Sequence, residues 1–538
     1  MKKNIVFTIL LVSFIMLFGC TDNQQQIDIV ESTQAEPTIE PIVLDVILSD
    51  SGVSFKRTID NYIDPESLEK QFNFYGMPDF ENKRYQLVVD DKLYRFKFDE
   101  ANSNLVTDSG QIIPYEIVGG KLCLAVKPLA ALLNLQVESH EGLRIIKSPN
   151  AAFGKAMFSG TAYRDYTKVN SEKFTETEVS VVNIAEGFAL IIIADKAYLT
   201  SELNLTLVQE ELLEIAEKPV KPLVLAWDLY GNKVEQTIDP LVDVVIPKWL
   251  SLQSADGEIN DLYNPEYAAN TKKQGAELWV LVNNGFDPDL TAQFLANSQA
   301  RQKFIDQMIA YVKQNWVAGI NLDFENMYLK DSDAYVQLAA ELHVETKKLG
   351  IPLSIAVTVP GGSENWSQVY DRARLAKVSE YITLMAYDQH WENSQTSGPV
   401  AGYSWVDQNI AKTLEMVPKN KLILGVPFYT RIWYERLSTE EPNKMKVRSK
   451  SVFMDTPREL IDENEPVRVW DEENSMYYFA YFEGDSLVKF WYDDPAAVAR
   501  KAALSNKYGL AGIACWSLGF ETEDVWQNLA DALKTKEQ

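Results

Sequence analysis

Cysteine and histidine are scarce in this chain of 538 residues, with three of each. Cys20, Cys123 and Cys515 lie far apart, and the chain contains neither a C-x-x-C pair nor an H-E-x-x-H motif. Zinc sites need clustered ligands of this kind, so no metal and no other cofactor is expected. A disulfide between Cys123 and Cys515 stays open, but their apolar neighbours favour buried, unreactive thiols.

Positive charge is also in short supply. Lys and Arg number 51 against 77 Asp and Glu, which leaves a formal net charge of −26. Nucleic acid attracts basic surfaces, so no nucleic-acid partner is expected. The same net charge gives no overall attraction to an anionic polymer. A polymer of that kind would therefore have to be held by stacking and hydrogen bonds.

Long hydrophobic runs are missing except near the N-terminus. Lysines at positions 2 and 3 precede an apolar run over 5–18, which is too short for a comfortable membrane-spanning helix and is typical of a signal peptide. The run ends in Leu17-Phe18-Gly19-Cys20, which resembles a bacterial lipobox. That resemblance implies a lipoprotein signal peptide over 1–20, a lipid on Cys20 and anchoring to the outer face of the cell membrane. Ordinary secretion is the alternative.

The next part of the chain is divided by its composition into a linker and two modules. Residues 21–40 are polar and poor in bulky apolar side chains, which is typical of a flexible linker. Short strands and one short helix over 41–150 resemble the N-terminal repeat module of copper amine oxidases, which does not itself bind copper. Residues 151–215 are expected to form a small β module, weakly similar to bacterial SH3-like domains. A wall-binding role and a purely structural role both remain open for these modules.

Strand and helix patterns alternate from about residue 216 to the end. This rhythm is typical of a parallel α/β fold, and it predicts eight strands. The predicted strands are 223–229, 242–247, 277–282, 319–324, 352–357, 381–387, 421–426 and 512–516. They predict a (β/α)8 TIM barrel over 216–538, preceded by a mostly β N-terminal region. Further strand patterns after the seventh strand predict a small β-rich insertion at about 430–493.

The fourth predicted strand carries acids on one face. Apolar and polar residues alternate over 320–325, and the polar row is Asn321, Asp323 and Glu325. Two carboxylates on a dry face repel each other, so at least one should have a raised pKa. Such a pair suits acid catalysis near neutral pH. A strand whose acids face solvent is the alternative interpretation.

Three motifs in this region resemble glycoside hydrolase family 18, the chitinase-like enzymes. The run from Ala318 to Glu325 is similar to the family's D-G-x-D-x-D-x-E, although Ala318 and Asn321 replace its first two acids. The sixth strand ends in Met385-Ala386-Tyr387-Asp388, similar to the family's M-x-Y-D, and the eighth ends at the expected Trp516. The run N-x-D-F-E-N resembles the branch that acts on spore-cortex peptidoglycan.

The resemblance implies a retaining, substrate-assisted mechanism without a second enzyme nucleophile. Glu325 would act as general acid and then as base. Asp323 would orient the substrate's 2-acetamido group, whose oxygen attacks C1, and Tyr387 would hydrogen-bond the carbonyl of that group. Trp516 would form the floor of the sugar site, and Asp388 would position the sugar or tune the acid.

Further substrate contacts are expected from Asn321 and from aromatic residues at strand ends. Trp227, Trp249, Tyr429 and Trp433 form a candidate sugar-stacking set, although any one of them alone is more often a core residue. Asn321 cannot ionise. Asp323 should therefore titrate lower than it would beside an Asp.

The function implied is that of an exported, membrane-anchored glycosidase that cleaves N-acetylglucosamine-containing glycan, with peptidoglycan favoured over chitin. The alternative is a non-catalytic, lectin-like glycan-binding protein on the same barrel. Retention of Asp323, Glu325 and Tyr387 favours the enzyme. A monomer is expected.

Overall fold

A computed structural model describes residues 43–49, 52–58, 61–69, 72, 74–140, 143–148, 154–163, 171–185, 188–193, 196–207, 222–438 and 445–534. Two compact units divide the chain. One comprises residues 1–76 and 96–216, and the other comprises residues 77–95 and 217–538. The predicted signal peptide, the lipidation site Cys20 and the linker over 21–40 lie outside the described residues.

The second unit is built on a closed barrel of parallel strands. The strands are β1 Leu223–Asp228, β2 Val244–Leu252, β3 Glu277–Asn283, β4 Gly319–Asp323, β5 Leu353–Thr358, β6 Tyr381–Met385, β7 Leu422–Pro427 and β8 Gly512–Trp516. Each strand pairs in parallel with the next, and β1 closes the barrel by pairing with both β2 and β8. The predicted TIM barrel is confirmed, with its strands at the predicted places.

Helices return the chain between these strands. They are Pro265–Lys273, Pro288–Ala296, Ser298–Asn315, Ser332–Leu349, Arg372–Lys377, Tyr403–Leu414, Pro495–Tyr508 and Asp524–Leu533. Three of them begin with the same device, an Asn or Asp followed by Pro. The side chains of Asn264, Asp287 and Asp494 accept hydrogen bonds from free N–H groups of the first turn. The proline that follows has no N–H to satisfy, which suits this position.

The barrel interior is filled by inward-facing apolar side chains. Val244 and Ile246 of β2 pack there with Trp279 and Leu281 of β3. Side chains alternate along a strand, so the inward row of β2 continues to Lys248 near the carboxyl end. A closed apolar layer thus lies beneath a polar layer at the mouth, where barrel enzymes hold their reacting groups.

An antiparallel sheet of five strands is inserted between β7 and helix Pro495–Tyr508. Its strands are Tyr429–Leu437, Met445–Phe453, Val467–Asp471, Met476–Glu483 and Ser486–Tyr492, accompanied by helix Thr456–Asn464. Val488 and Phe490 lie in its own small core. The β-rich insertion predicted after the seventh strand is confirmed.

The first unit consists mainly of antiparallel strands. One sheet contains Val43–Ser49, Gly52–Thr58, Gln136–His140 and Leu143–Lys147, of which the first and last pair in parallel. A second sheet contains Tyr62–Ile63, Asn104–Thr107, Ile112–Val118 and Lys121–Ala125, together with residues 96–99 of strand Lys92–Asp99. A third sheet contains Gly154–Tyr163, Ser171–Ala185, Phe188–Ile193, Lys196–Ser201 and Leu205–Leu207. Two short helices, Pro65–Glu69 and Val126–Leu132, complete the unit. The mostly β N-terminal region is confirmed.

Residues 77–95, which include strand Arg84–Val89, belong to the barrel unit. Arg301 of helix Ser298–Asn315 donates to Gln86 Oε1 at 2.7 Å and forms a buried ion pair with Glu341 at 3.0 Å. Asp79 Oδ2 accepts from the hydroxyl of Ser298 at 2.6 Å. The compact units therefore divide the chain differently from the predicted module over 41–150. A strand pattern does not show which neighbour a strand will pack against.

Two further observations concern the described residues as a whole. Cys515 is a buried free thiol, so it forms no disulfide with Cys123. No described helix combines the length and the apolar character that a membrane crossing requires.

Candidate active site

The polar row of β4 points into the mouth of the barrel. The register pairs Asp323 with Asn283 at the carboxyl end of β3 and Asn321 with Ser354 of β5. Glu325 follows two residues after Asp323, so its side chain continues the same inward row. The two acids predicted as catalytic are therefore brought to one face at the carboxyl end of the barrel.

Burial dominates the electrostatics of this acid pair. Asp323 is 8% exposed, and its Oδ1 has no hydrogen-bond partner among the described residues. Burial raises the pKa of Asp323 to about 6, against the opposing charge of Lys248. Burial also raises the pKa of Glu325 well above its usual range, and the nearby charges of Asp323 and Asp388 add to that rise. Glu325 is thus suited to hold a proton at neutral pH while Asp323 is ionised.

Asn321 is fully buried in a chain of hydrogen bonds. Its Oδ1 accepts from the indole N–H of Trp227 at 3.0 Å, and its Nδ2 donates to Ser354 Oγ at 3.0 Å. Ser354 in turn shares a hydrogen bond of 2.8 Å with Thr383 Oγ1. Asn321 was predicted to contact substrate, and this is corrected here, because both ends of its amide are occupied beneath the mouth.

Asn284 is a residue of this site that the sequence analysis missed. It follows β3 and is 1% exposed. Its Oδ1 accepts from the backbone N–H of Glu325 at 3.0 Å, and its Nδ2 donates to the carbonyl of Glu325 at 2.7 Å and to Thr291 Oγ1 at 2.9 Å. One amide side chain therefore holds both backbone groups of the predicted acid. Its position just past a strand end was the only signal in the sequence.

Tyr387 and Asp388 follow β6 and lie beside the acids. Tyr387 is half-buried, and its ring meets that of Tyr429 edge to face at 6.3 Å between centroids. Burial, followed by the charges of Asp323 and Glu325, raises the pKa of Tyr387, so its hydroxyl stays a hydrogen-bond donor.

Asp388 is held by residues that follow β7. It adopts a left-handed backbone conformation with φ of 57°. Its Oδ1 accepts from the hydroxyl of Tyr429 at 2.7 Å, and Arg431 lies 3.8 Å away. The side chain of Asp388 remains 49% exposed, so it is open to a ligand in the mouth. Tyr429 is only 7% exposed and reaches the site through this hydrogen bond rather than through an open ring face.

Most of the predicted sugar-stacking aromatics are core residues. Trp227, Trp249 and Trp433 are each at most 1% exposed. Their indole N–H groups donate to Asn321, to the carbonyl of Gly231 and to the carbonyl of Gly398, respectively. The expectation that they stack on sugars is therefore wrong, since none has an open face. Trp516 is partly buried against the interior cluster, with its ring 5.7 Å from that of Trp227.

Two aromatic residues outside the predicted sugar-stacking set have exposed rings. Phe286, three residues past β3, is 45% exposed, and Trp366, eight residues past β5, is 43% exposed. Their ring centroids lie 5.9 Å apart with planes inclined at 33°. Both follow strands that flank β4, so they border the mouth next to Glu325.

No cluster of three or more His, Cys, Asp or Glu side chains in the described part of the chain is arranged to hold a metal ion. The chemistry available here is that of a protonated carboxyl group, an ionised carboxylate and a phenol, enclosed in a barrel mouth. This combination suits general acid–base work on a neutral or amide-bearing substrate.

The family profile described as glycosyl hydrolases family 18 matches residues 227–521. The chain belongs to this family. The match runs from the end of β1 through β8 and includes the insertion. The residues of its D-x-E and M-x-Y-D motifs meet at the mouth described above. The protein is thus a family 18 glycosidase.

Individual relatives agree with this assignment. The uncharacterized glycosylase YvbX of Bacillus subtilis is 25% identical over 275 residues, which are 49% of this chain and 77% of the relative. Di-N-acetylchitobiase of Rattus norvegicus is 23% identical over 282 residues, which are 46% of this chain and 75% of the relative. The crystal structure of the Bacillus cereus spore cortex-lytic enzyme SleL has a TM-score of 0.53 and 17% identity, covering 61% of this chain and 80% of that one. At that identity the structural likeness shows the fold.

Proposed function

We propose that this glycosidase cleaves N-acetylated glycan by a retaining, substrate-assisted mechanism, and that its substrate is peptidoglycan rather than chitin. One observation carries the mechanism: the buried Asp323 Oδ1 has no hydrogen-bond partner among the described residues, beside an acid whose pKa is raised. A buried carboxylate oxygen without a donor is costly, and the N–H of a 2-acetamido group is the donor that would satisfy it.

The steps follow from this placement. Glu325 protonates the glycosidic oxygen, and the substrate's own acetamido oxygen attacks C1, which expels the leaving sugar and forms an oxazolinium ion. Asp323 accepts a hydrogen bond from the amide N–H and stabilises the positive charge, and Tyr387 donates to the acetamido oxygen. Water then attacks C1 and displaces the acetamido oxygen, which restores the acetamido group, while Glu325 takes a proton from the water. Two inversions at C1 give net retention.

The preference for peptidoglycan is supported by the run N-x-D-F-E-N and by the likeness to a spore cortex-lytic enzyme. The proposed location is the outer face of the cell membrane, through a lipid on Cys20. Mass spectrometry of the mature N-terminal peptide tests the anchor, and an unmodified terminus would exclude it. The module over 41–150 is proposed to bind cell wall, and its similarity to the copper amine oxidase module remains part of this proposal.

Purified protein incubated with peptidoglycan glycan strands tests the mechanism. Wild type should release reducing ends from N-acetylated strands, whereas Glu325→Gln should release none. De-N-acetylated strands should resist wild type, because they lack the attacking oxygen. Efficient cleavage of those strands would exclude substrate assistance. Binding without release of reducing ends from any N-acetylated glycan would favour the lectin-like alternative.

A further inference from the structure

Lys248 is a cation at the mouth of the barrel that the proposed mechanism does not use. It continues the inward row of β2 after Val244 and Ile246, which both lie in the barrel interior. Its charge acts on both Asp323 and Glu325. Lys248 therefore faces the site in which the glycan is cut.

The charge of Lys248 works against the proton held by Glu325, although it favours the ionised form of Asp323. It lowers the pKa of Asp323 and of Glu325, which opposes the burial that keeps a proton on the acid. A cation beside a sugar that develops positive charge in the transition state is also unfavourable. Two of these three effects oppose the catalytic steps, which points to a use of this lysine in binding.

The ammonium group of Lys248 lies near an aromatic ring but forms no ion pair with a carboxylate of the described residues. In the part of the chain that the structure describes, it forms neither an ion pair nor a hydrogen bond with a side chain. Its Nζ lies 5.6 Å from the centroid of the Phe286 ring, and the side chain is half-buried. A half-buried ammonium group with open hydrogen-bonding capacity suits an anion supplied from outside.

The aromatic pair next to Lys248 provides a surface on which a sugar carrying that anion could stack. Phe286 and Trp366 present two exposed rings with centroids 5.9 Å apart. Asn326, which follows the catalytic Glu325, donates to the carbonyl of Phe286 at 2.9 Å, so the aromatic pair is tied to the acid strand. Exposed aromatic rings stack on the apolar faces of sugar rings. The rings of Phe286 and Trp366 and the ammonium group of Lys248 thus lie next to one another at the mouth of the barrel.

We propose that Lys248 and the Phe286–Trp366 pair bind one sugar of the substrate that carries a carboxylate, with the rings stacking on the sugar and Lys248 pairing with its carboxylate. This inference rests on the proposed function, and it narrows the substrate class to N-acetylated glycans with an acidic substituent. The 3-O-lactyl ether on alternate sugars of peptidoglycan is a substituent of this chemistry, whereas chitin has none. The local cation supplies an attraction that the net charge of −26 does not.

The test compares two forms of one substrate. Peptide-free peptidoglycan strands are used either with their lactyl carboxylates intact or with those carboxylates converted to neutral methylamides. For wild type, kcat/KM should be higher on the anionic strands, and this preference should shrink at high salt. Lys248→Met should lower the ratio of the two kcat/KM values about tenfold, which corresponds to one charged hydrogen bond. An effect of Lys248 on the acids would act on both substrates and cancel in the ratio.

Matched variants make the ratio decisive. Lys248→Arg keeps the charge and should preserve the preference, and Lys248→Gln provides a second neutral variant if Lys248→Met does not fold. Lys412→Met removes an exposed lysine from the outer helix Tyr403–Leu414 and should leave the ratio at the wild-type value. A ratio that stays at the wild-type value in a folded neutral variant of Lys248 would overturn the proposal.

Binding of the same two strands to Glu325→Gln separates this inference from the proposed function. If wild type hydrolyses neither strand, the proposal that its substrate is peptidoglycan fails. The carboxylate site would still be supported if Glu325→Gln bound the anionic strands more tightly and the double variant Glu325→Gln/Lys248→Met did not. Equal binding of both strands to Glu325→Gln would overturn the carboxylate site whatever the activity of wild type.

Discussion

At the scale of single residues, the burial of the two acids Asp323 and Glu325 costs the fold stability. Both Asp323 and Glu325 have a pKa raised by burial, so their charged forms are less favourable in the folded protein than in the unfolded chain. The penalty is absent below the unfolded pKa values near 4 and grows as the pH rises through the folded values. Neutral substitutions should therefore stabilise the barrel near neutral pH and have little effect in acid.

Asp323→Asn tests this relation between charge and stability. Its free energy of unfolding should exceed that of wild type by ~2 kcal/mol at pH 7.5, with the difference vanishing near pH 4. Urea unfolding at the two pH values measures it. Asp462→Asn, on an exposed helix of the insertion, should show no comparable gain at either pH. An equal gain at pH 4 and pH 7.5 would contradict the assignment of the penalty to ionisation.

The pH dependence of activity should have two limbs. Activity should rise as Asp323 ionises at a pH of about 6, and it should fall at higher pH as Glu325 loses its proton. Asn321→Asp places a third carboxyl group in contact with Trp227 and Ser354. Activity should survive, but the added negative charge should move the acid limb to higher pH, measured as kcat/KM across pH. Superimposable wild-type and variant profiles would refute coupling between positions 321 and 323.

At the scale of elements, the contact between the end of β3 and the end of β4 positions the acid. Asn284→Ala removes the side chain that holds both backbone groups of Glu325. We expect kcat to fall by roughly 10–100-fold with a smaller change in KM, because a small displacement of a reacting group is costly. The alkaline limb of the pH profile should also move, which loss of stability alone would not produce.

Asn283→Ala is the matched control for this prediction. Asn283 is the preceding residue, is also buried, and makes two hydrogen bonds: it donates to the carbonyl of Leu250 and accepts from the N–H of Gly285. It makes no hydrogen bond to Glu325. If both alanine variants changed kcat and the pH profile equally, the effect would reflect general damage to the end of β3 rather than positioning of the acid.

At the scale of the whole molecule, the barrel unit includes a strand that lies far away in sequence. A chain truncated to residues 216–538 lacks Gln86 and Asp79, which leaves Arg301 Nη2 and the N–H of Ser298 without these partners. Loss of a partner by a buried polar group costs about 1–3 kcal/mol. The truncated chain should therefore melt several degrees lower than a chain of residues 74–538, measured by circular dichroism. Equal melting temperatures would show that residues 77–95 do not contribute to the stability of the barrel.

Much of this architecture follows from the sequence, because the strand–helix rhythm of the barrel is a local property. The acids of β4 could be placed on one face for the same reason, since alternation fixes the side of the strand. The roles of the tryptophans could not be predicted. Trp227 and Trp433 follow the same kind of pattern as exposed strand-end aromatics, and only the packing of neighbouring strands shows that they are buried. Asn284 was missed because its function depends on a contact with the adjacent strand.

The way in which Asn284 holds the acid has a consequence for a side chain with two tasks. Under the proposed mechanism, Glu325 first gives a proton to a departing oxygen and later takes one from a water molecule that arrives on the same face of the sugar, because the configuration at C1 is retained. The amide fixes the root of this residue through its main-chain atoms and leaves the carboxyl tip untethered. Anchoring of the main chain in this way keeps the carboxyl group on that face for both proton transfers, while its tip can still turn toward either oxygen.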